Sequence, residues 1–346
     1  LAIVLLAFAA LPAAAVEVTT LYTAQVTLDE EQDDPRAAAY RDALVTVLLR
    51  VSGSELAGDQ ELIDLLFPNP ASYIVQFRPG AEETLWVSFD GEAIERGLRA
   101  AGQTVWDSDR PLTLIWLAVD WGQGEREIIG ADDPDRAPDA ARSIDRNRLL
   151  RERVLDTAER RGLPVMFPLL DTEDLQAVSF SDIWGGFDEP LLAASERYEV
   201  NSILVGRFRP GSSQRNQWHY YFGGEERNWF GEPELALNLV ADELAAEFAV
   251  SGSAPLESVD LAVAGVDSIE AYGSVQSLLA ELTIVEAFAI IEVAGDQIVY
   301  RVDVRGGAER LGRALQFSGL IEKSVIEGAP YPTDAVNSRL EFFYSP

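Results

Sequence analysis

"PLTLIWLAVDW", residues 111–121, runs from a proline to a tryptophan with almost no polar residue and no alternation. It falls well short of the roughly 20 apolar residues that a membrane span needs, and it reads as a strand buried in a core. Two further apolar runs, "PVMFPLLD" (164–171) and "NSILVGRF" (201–208), are separated by a helical stretch, "DEPLLAASERYEV" (188–200). Two strands joined by a helix make a crossover unit, which predicts parallel pairing. The helix "IDRNRLLRERVLDTAERRG" (144–162) is charged and amphipathic and is stopped by Gly162 and Pro164. A last helix, "EPELALNLVADELAAEFAV" (232–250), is expected to turn Leu235, Leu239 and Phe248 inward. Between these elements "QWHYYFGGEERNWF" (217–230) predicts a hairpin about a Gly-Gly turn, with Trp218, Tyr220 and Phe222 on one face and His219 and Tyr221 on the other.

Outward from this middle region the pattern changes. On the N-terminal side, "VEVTTLYTAQVTL" (16–28) alternates as a strand. A helix follows, capped by Asp34, with Pro35 in its first turn and Gly53 after its end. "SYIVQFR" and "TLWVSF" form a hairpin about "PGAEE", and "GEAIERGLRAAG" closes the unit as a helix. The C-terminal third has the same order: strand "ESVDLAVAGV", a helix opened by Asp267 and Glu270, the hairpin "EAFAIIEV"/"QIVYRVDV" about "AGD", and the helix "GGAERLGRALQFSG". "VSFDGEAIERGL" (87–98) and "VDVRGGAERLGRAL" (302–315) both pass from an alternating strand through glycine into an Ala-Arg-Leu helix. The expected fold is α+β or α/β, with two β-α-β-β-α modules (16–109 and 253–324) flanking a mixed-sheet middle domain (110–252) and a tail at 325–346.

Composition bounds the setting. The segment "LAIVLLAFAALPAAAVEV" carries no charge through Val16 and ends its apolar run in small residues, which reads as a secretory signal peptide over residues 1–15. The expected location is the periplasm, with no membrane span after cleavage. The chain has 27 basic and 58 acidic residues, a net charge of −31, with Lys323 the only lysine. Such a surface repels nucleic acid, and it fits either a salt-rich habitat or an arginine-favouring genome.

The chemistry open to the chain is narrow. With one histidine and no cysteine, multi-histidine zinc sites, thiolate sites and thiol nucleophiles are excluded. The lone Gly-x-Gly of "WGQGERE" lacks the third glycine of a dinucleotide site, and no Gly-x-Ser-x-Gly elbow occurs. No cofactor, metal or catalytic residue is expected. The acidic clusters "DDPD" (132–135), "DTED" (171–174) and "FSDIWGGFDE" (180–189) read as solvated faces. The candidate surface for a ligand or partner is Trp184, Trp218, His219, Tyr220 and Trp229, a set that suits sugar stacking if exposed and a half-buried sheet if not.

The opening "LYTAQVTL...RAAAYRDALVTVLLRVSGS", the segment "AERRGLPVMFPLLD", the strand "ASERYEVNSILVGRF" and the module "GVDSIEAYGSVQSLL" resemble the bacterial family of unknown function numbered 2066. That resemblance covers nearly the whole mature chain. It implies an exported protein of Gram-negative bacteria and carries over no catalytic residue. At the level of fold, "LVGRF" followed by aromatic hairpins is similar to envelope-assembly domains such as the N-terminal domain of the TolB translocation protein. The expected function is non-catalytic: binding an envelope protein or a peptidoglycan component in assembly or scaffolding. Two alternatives stay open. One is an envelope polysaccharide hydrolase using paired carboxylates, with Asp182 or Asp188 beside Trp184; the other is a small-ligand or glycan-binding protein.

Overall fold

The structure, a computed structural model, describes residues 15–53, 59–81, 83–131, 141–212, 215–282, 284–317, 320–322 and 339–344. The leader read at 1–15 lies outside them but for Ala15, and so do Lys323 and the "DDPD" cluster. The chain forms two compact units, one of Val16–Ser253 and one built from Ala254 onward.

In the first unit the strand expected over 16–28 is two strands, β1 (Ala15–Glu17) and β2 (Thr23–Thr27), parted by a turn. The reason lies outside the local pattern: Arg50 donates to the carbonyls of Thr20 and Thr23 and holds the chain in that turn. Helix α1 (Pro35–Ser52) follows, with the Asp34 side chain accepting from the Ala37 N–H and Gly53 closing the helix in the left-handed region. Then come α2 (Gln60–Leu66), β3 (Ile74–Pro79), β4 (Thr84–Phe89) and α3 (Gly91–Ala100). The sheet order is β2-β4-β3, antiparallel throughout. Its Leu85, Val87 and Phe89 pack on Leu44, Val47, Leu48, Ile94 and Leu98 from the helices.

Short strands β5 (Thr104–Val105) and β6 (Asp109–Pro111) lead into β7 (Thr113–Gly122), whose residues Thr113–Asp120 are all buried. β7 turns at Gly122-Gln123-Gly124, all three at positive φ, into β8 (Glu125–Ile129), so the lone Gly-x-Gly is a hairpin turn. The chain continues as α4 (Ala141–Arg161), β9 (Val165–Met166), α5 (Thr172–Ala177), α6 (Phe180–Gly185), α7 (Asp188–Ser195), β10 (Ser202–Phe208), β11 (Gln217–Phe222), β12 (Glu225–Phe230), α8 (Pro233–Phe248) and β13 (Val250–Ser251). β13 pairs with β5, and β1 with β6.

The main sheet runs β12-β11-β10-β7-β8, with β9 sharing the β8 edge of β7. β7 is parallel to both β9 and β10, as a crossover requires, and it lies between them. The sheet is covered on both faces. Ile115, Leu117, Val119, Leu204, Phe208, Trp218 and Tyr220 meet Leu150 and Val154 of α4 and Leu237, Val240 and Leu244 of α8. On the other face Leu114, Trp116, Ala118, Ile203 and Val205 meet Ile183 of α6 and Leu191 of α7. On α8 the expected inward Leu235 is instead exposed, and Ala236, Leu237, Val240, Ala241 and Leu244 are buried. Glycine at 206 lets Trp218 lie flat on β10: a Cβ there would come within 2.4 Å of the indole.

Arg110, the middle residue of β6, is fully buried and stacked at 3.9 Å over Trp106. Its guanidinium donates to the carbonyls of Asp107, Trp106, Arg50, Arg161 and Gly162. Those acceptors include carbonyls at the C-terminal ends of α1 and α4, where helix carbonyls have no partner of their own and a cation opposes the helix dipole.

The second unit comprises β14 (Leu256–Ala264), α9 (Ile269–Glu281), β15 (Val285–Ala294), β16 (Gln297–Arg305), α10 (Gly307–Phe317), β17 (Leu320–Glu322) and β18 (Arg339–Tyr344). Its sheet order is β15-β16-β14-β18-β17. The first three strands repeat the β3-β4-β2 order and antiparallel sense of the N-terminal sheet. Tyr300, Val302 and Val304 are buried at the positions of Leu85, Val87 and Phe89. The segment read as a tail supplies β18, which pairs in parallel with β14 between it and β17. "RLEFFY" is a six-residue run whose partner, β14, lies about 75 residues earlier in the chain, so nothing local marks it as a strand inside the sheet.

Candidate functional site

The hairpin alternates as its sequence predicts, with Gly223 and Gly224 both at positive φ as a two-residue turn requires. That alternation separates the aromatic candidates. Trp218 and Tyr220 are buried on the α4/α8 face, where the Trp218 indole N–H donates to the Gly231 carbonyl at 3.0 Å and the Tyr220 hydroxyl bonds Ser202 at 3.0 Å. Trp229 lies on the same face, half-buried and stacked on Tyr220 at 5.6 Å. A sugar platform on Trp218 and Tyr220 is therefore corrected by burial: both rings belong to the core.

Trp184 and His219 belong to the opposite face. Trp184 stacks on Phe180 at 5.2 Å, with the Arg209 guanidinium 5.6 Å over its ring and Arg126 5.8 Å over Phe180. Both arginines pair with Asp120, Arg209 at 2.6 Å and Arg126 at 3.7 Å. The five side chains close a clasp that fixes α6 to the C-terminal ends of β7 and β10. In open α/β sheets the strand ends of this kind border ligand sites. The Arg209 hydrogen bond and the Gly122 N–H hold the Asp120 carboxyl below its ordinary range.

His219 is held from one side by Glu226, whose carboxylate lies 3.3 Å from Nδ1 and also accepts from Asn228. On the other side Nε2 faces the Arg207 guanidinium at 3.5 Å. Arg207 also donates to Gln217 at 3.1 Å and rests against Gly186, which has a positive φ. Among the described residues no carboxylate lies within ion-pair distance of Arg207, and its Nε is buried without a partner. In a chain of −31 that is unusual, since most of its other half-buried arginines are matched by acids.

Beyond Arg207 the cover by α6 and α7 thins: Tyr221 of β11 still packs on their core beside Asp188 of α7, whereas Glu226, Asn228 and Phe230 of β12 are exposed. β11 and β12 present His219, Glu226, Asn228 and Phe230 on an open shelf, with Phe187 at the rim and both phenylalanines 60% exposed. Sequence reasoning missed Arg207, Phe187 and Phe230. The available signal was the charged residue in "SILVGRF" at a position sharing a face with Ile203 and Val205.

The carboxylates are committed elsewhere. Asp182 completes the capping box that Ser179 opens on α6: it accepts from the Ser179 hydroxyl at 2.6 Å and N–H at 2.8 Å, and these bonds hold it below its ordinary range. Asp188 lies by Tyr221, and burial followed by that carboxylate pushes the phenol up. In "DTED", Asp171 and Asp174 both accept from Arg197, and the buried Asp174 also takes the Tyr198 hydroxyl at 2.5 Å and the Leu170 N–H at 2.8 Å. Burial and the Asp174 bond push the Tyr198 phenol up to about 12. A cavity of about 260 Å³ lies beside this network, lined by Glu173, Asp174, Ala177, Pro190, Ala193 and Arg197. Among the described residues there is no group of three or more His, Asp or Glu able to hold a metal, and no helix long and apolar enough to cross a membrane.

Residues 15–107, the N-terminal sheet with its helices, match a family model described as a domain of unknown function (DUF8605). No curated protein matches the chain. The N-terminal module is thus similar to an uncharacterised domain, and the match stops short of β7 and the clasp.

Proposed function

We propose that this chain is a non-catalytic exported protein that works in the periplasm by binding another component of the cell envelope. The proposal takes in the finer family resemblance, to the family of unknown function numbered 2066, and the TolB-like likeness of its middle region. The observation that carries it is the open shelf of β11 and β12. Arg207 borders the shelf without a carboxylate partner among the described residues, and Phe187 and Phe230 hold apolar surface in water beside it. Exposed aromatic residues next to an unmatched arginine are what interface centres are made of.

The hydrolase alternative draws less support. A general acid needs a carboxyl raised towards neutrality by an apolar setting; Asp182 is a helix cap shifted the other way. The test is affinity purification from cross-linked cells, comparing the native chain with an Arg207→Gln/Phe230→Ala variant. A specific envelope component captured by the native chain and lost by the variant is expected. Equal capture by both refutes the shelf, and no capture refutes the binding reading.

A further inference from the structure

β15 is the longest strand edge among the described residues, ten residues with nothing paired to the side away from β16. Its sequence, "VEAFAIIEVA", leaves Ile290 39%, Ile291 45% and Val293 64% exposed. Natural sheets guard such edges with charge, proline or brevity; β12, β8, β3 and β17 do so, and the uncharged outer strand β2 has only five residues. β12 carries exposed Glu225, Glu226 and Arg227; β8 carries Glu125, Arg126 and Glu127; β3 ends in Arg78-Pro79; β17 has three residues. β15 has no lysine, arginine or proline, and of its two glutamates Glu286 is engaged by Arg305, which leaves Glu292, among the described residues, as the one free charge along ten residues. Its two register shifts, at Val285/Ala287 and Ile290/Glu292, bend the edge but leave Ala287–Ile290 and Glu292–Ala294 regularly paired on the inner side.

The charge around that edge selects the occupant. Arg305 is held by Glu286 at 2.6 Å, Arg301 by Asp260 at 2.9 Å, and Asp303 accepts from Ser258. Glu292 and Asp296 stand exposed at the far end of the strand and its turn. The local surplus is acidic, as is the whole chain at −31. A second copy would bring the same sign to the contact. We propose that β15 is a docking edge for an extended segment of another polypeptide, apolar on one face and carrying lysine or arginine, which adds to the sheet by backbone hydrogen bonds. This rests on the binding reading above and names a partner chemistry for a second surface.

The probe is a ten-residue peptide of alternating valine and lysine, with an alternating valine and glutamate peptide as control, added to the full chain and read by amide hydrogen exchange. The lysine peptide is expected to slow exchange within 285–294 by about tenfold, the local opening being suppressed by the added strand. The glutamate peptide is expected to leave exchange unchanged. An Ile291→Lys/Val293→Lys variant, altered only at exposed positions, should keep its melting temperature and lose the protection. Protection spread over other acidic surfaces, or retained by the variant, overturns the proposal. So does a chain that sediments as a dimer with β15 already protected before any peptide is added. Capture from cells through the β11–β12 shelf together with no peptide-induced protection at 285–294 overturns it, while leaving the binding reading standing.

Discussion

Replacing Arg110 by methionine keeps much of the stem's volume and removes every donor from a fully buried site. The five carbonyls of Asp107, Trp106, Arg50, Arg161 and Gly162 then lose their partner together. At about 1.5–3 kcal/mol for each hydrogen bond from a charged donor, the gross loss is roughly 7–15 kcal/mol. Against this stands the desolvation of a fully buried guanidinium, several kcal/mol that the variant no longer bears. The net expected loss is about 3–5 kcal/mol, the size found when a buried charge network loses one member. For a unit of this length about 2–4 °C accompanies each kcal/mol, so the melting temperature should fall by about 6–20 °C. Arg110→Lys keeps the charge but offers fewer donors and no planar stack on Trp106, and it should fall between the two. Urea unfolding and calorimetry of the three proteins measure this. An Arg110→Met variant melting within about 3 °C of the native chain refutes the view that this side chain joins α1 to α4.

Three further outcomes follow from other parts of the structure. Gly206→Ala forces a Cβ to within 2.4 Å of the Trp218 ring and 2.7 Å of Leu117, and it should cost about 1–3 kcal/mol in chemical denaturation; an unchanged midpoint would show that Trp218 does not lie on β10. Asp120, Asp171 and Asp182 are each held below the ordinary carboxylate range, chiefly by Arg209, Arg197 and Ser179. As pH falls below about 4 the unfolded chain takes up protons that the folded chain still refuses. The stability these groups lend should therefore be complete at neutral pH and decline below that point, and a melting temperature flat down to pH 3 would contradict it. Finally, with a net charge of −31, the melting temperature should rise as sodium chloride goes from low to molar concentration, because self-repulsion is screened; a flat response removes the halophilic explanation.

What could be read from sequence was what depends on neighbours along the chain. Asp34, Pro35 and Gly53 bound α1 because caps act within a turn, and the glycine pair at 223 and 224 fixed the hairpin because its φ angles are local. The apolar run of β7 identified a central strand because burial on both faces leaves no room for alternation. What could not be read depends on distant partners. Arg50 and Arg110 act on carbonyl groups, which every residue possesses, so no side-chain pattern marks them. Trp218 looked equally suited to a surface and a core, and only the packing of α4 and α8 over the sheet decided the matter. Trp184 and His219 came onto one face through the β10–β11 register and α6, while Arg207, the residue that sits against both regions, was hidden inside an apolar strand.

The position of β18 carries a kinetic consequence. Asp260 on β14 faces Arg339 on β18, so the middle of this sheet is completed by chain that arrives long after its partner. Until then one edge of β14 stands open, and β17, which pairs with β18 alone, has nothing to join. Closing so wide a loop makes parallel pairing of this kind slow. While it waits, the unit holds β14 and β15 open at once, two strands rich in Val, Ile and Ala. The interval before β18 docks is thus the time of greatest exposure to aggregation, and slower delivery of the last residues would lengthen it.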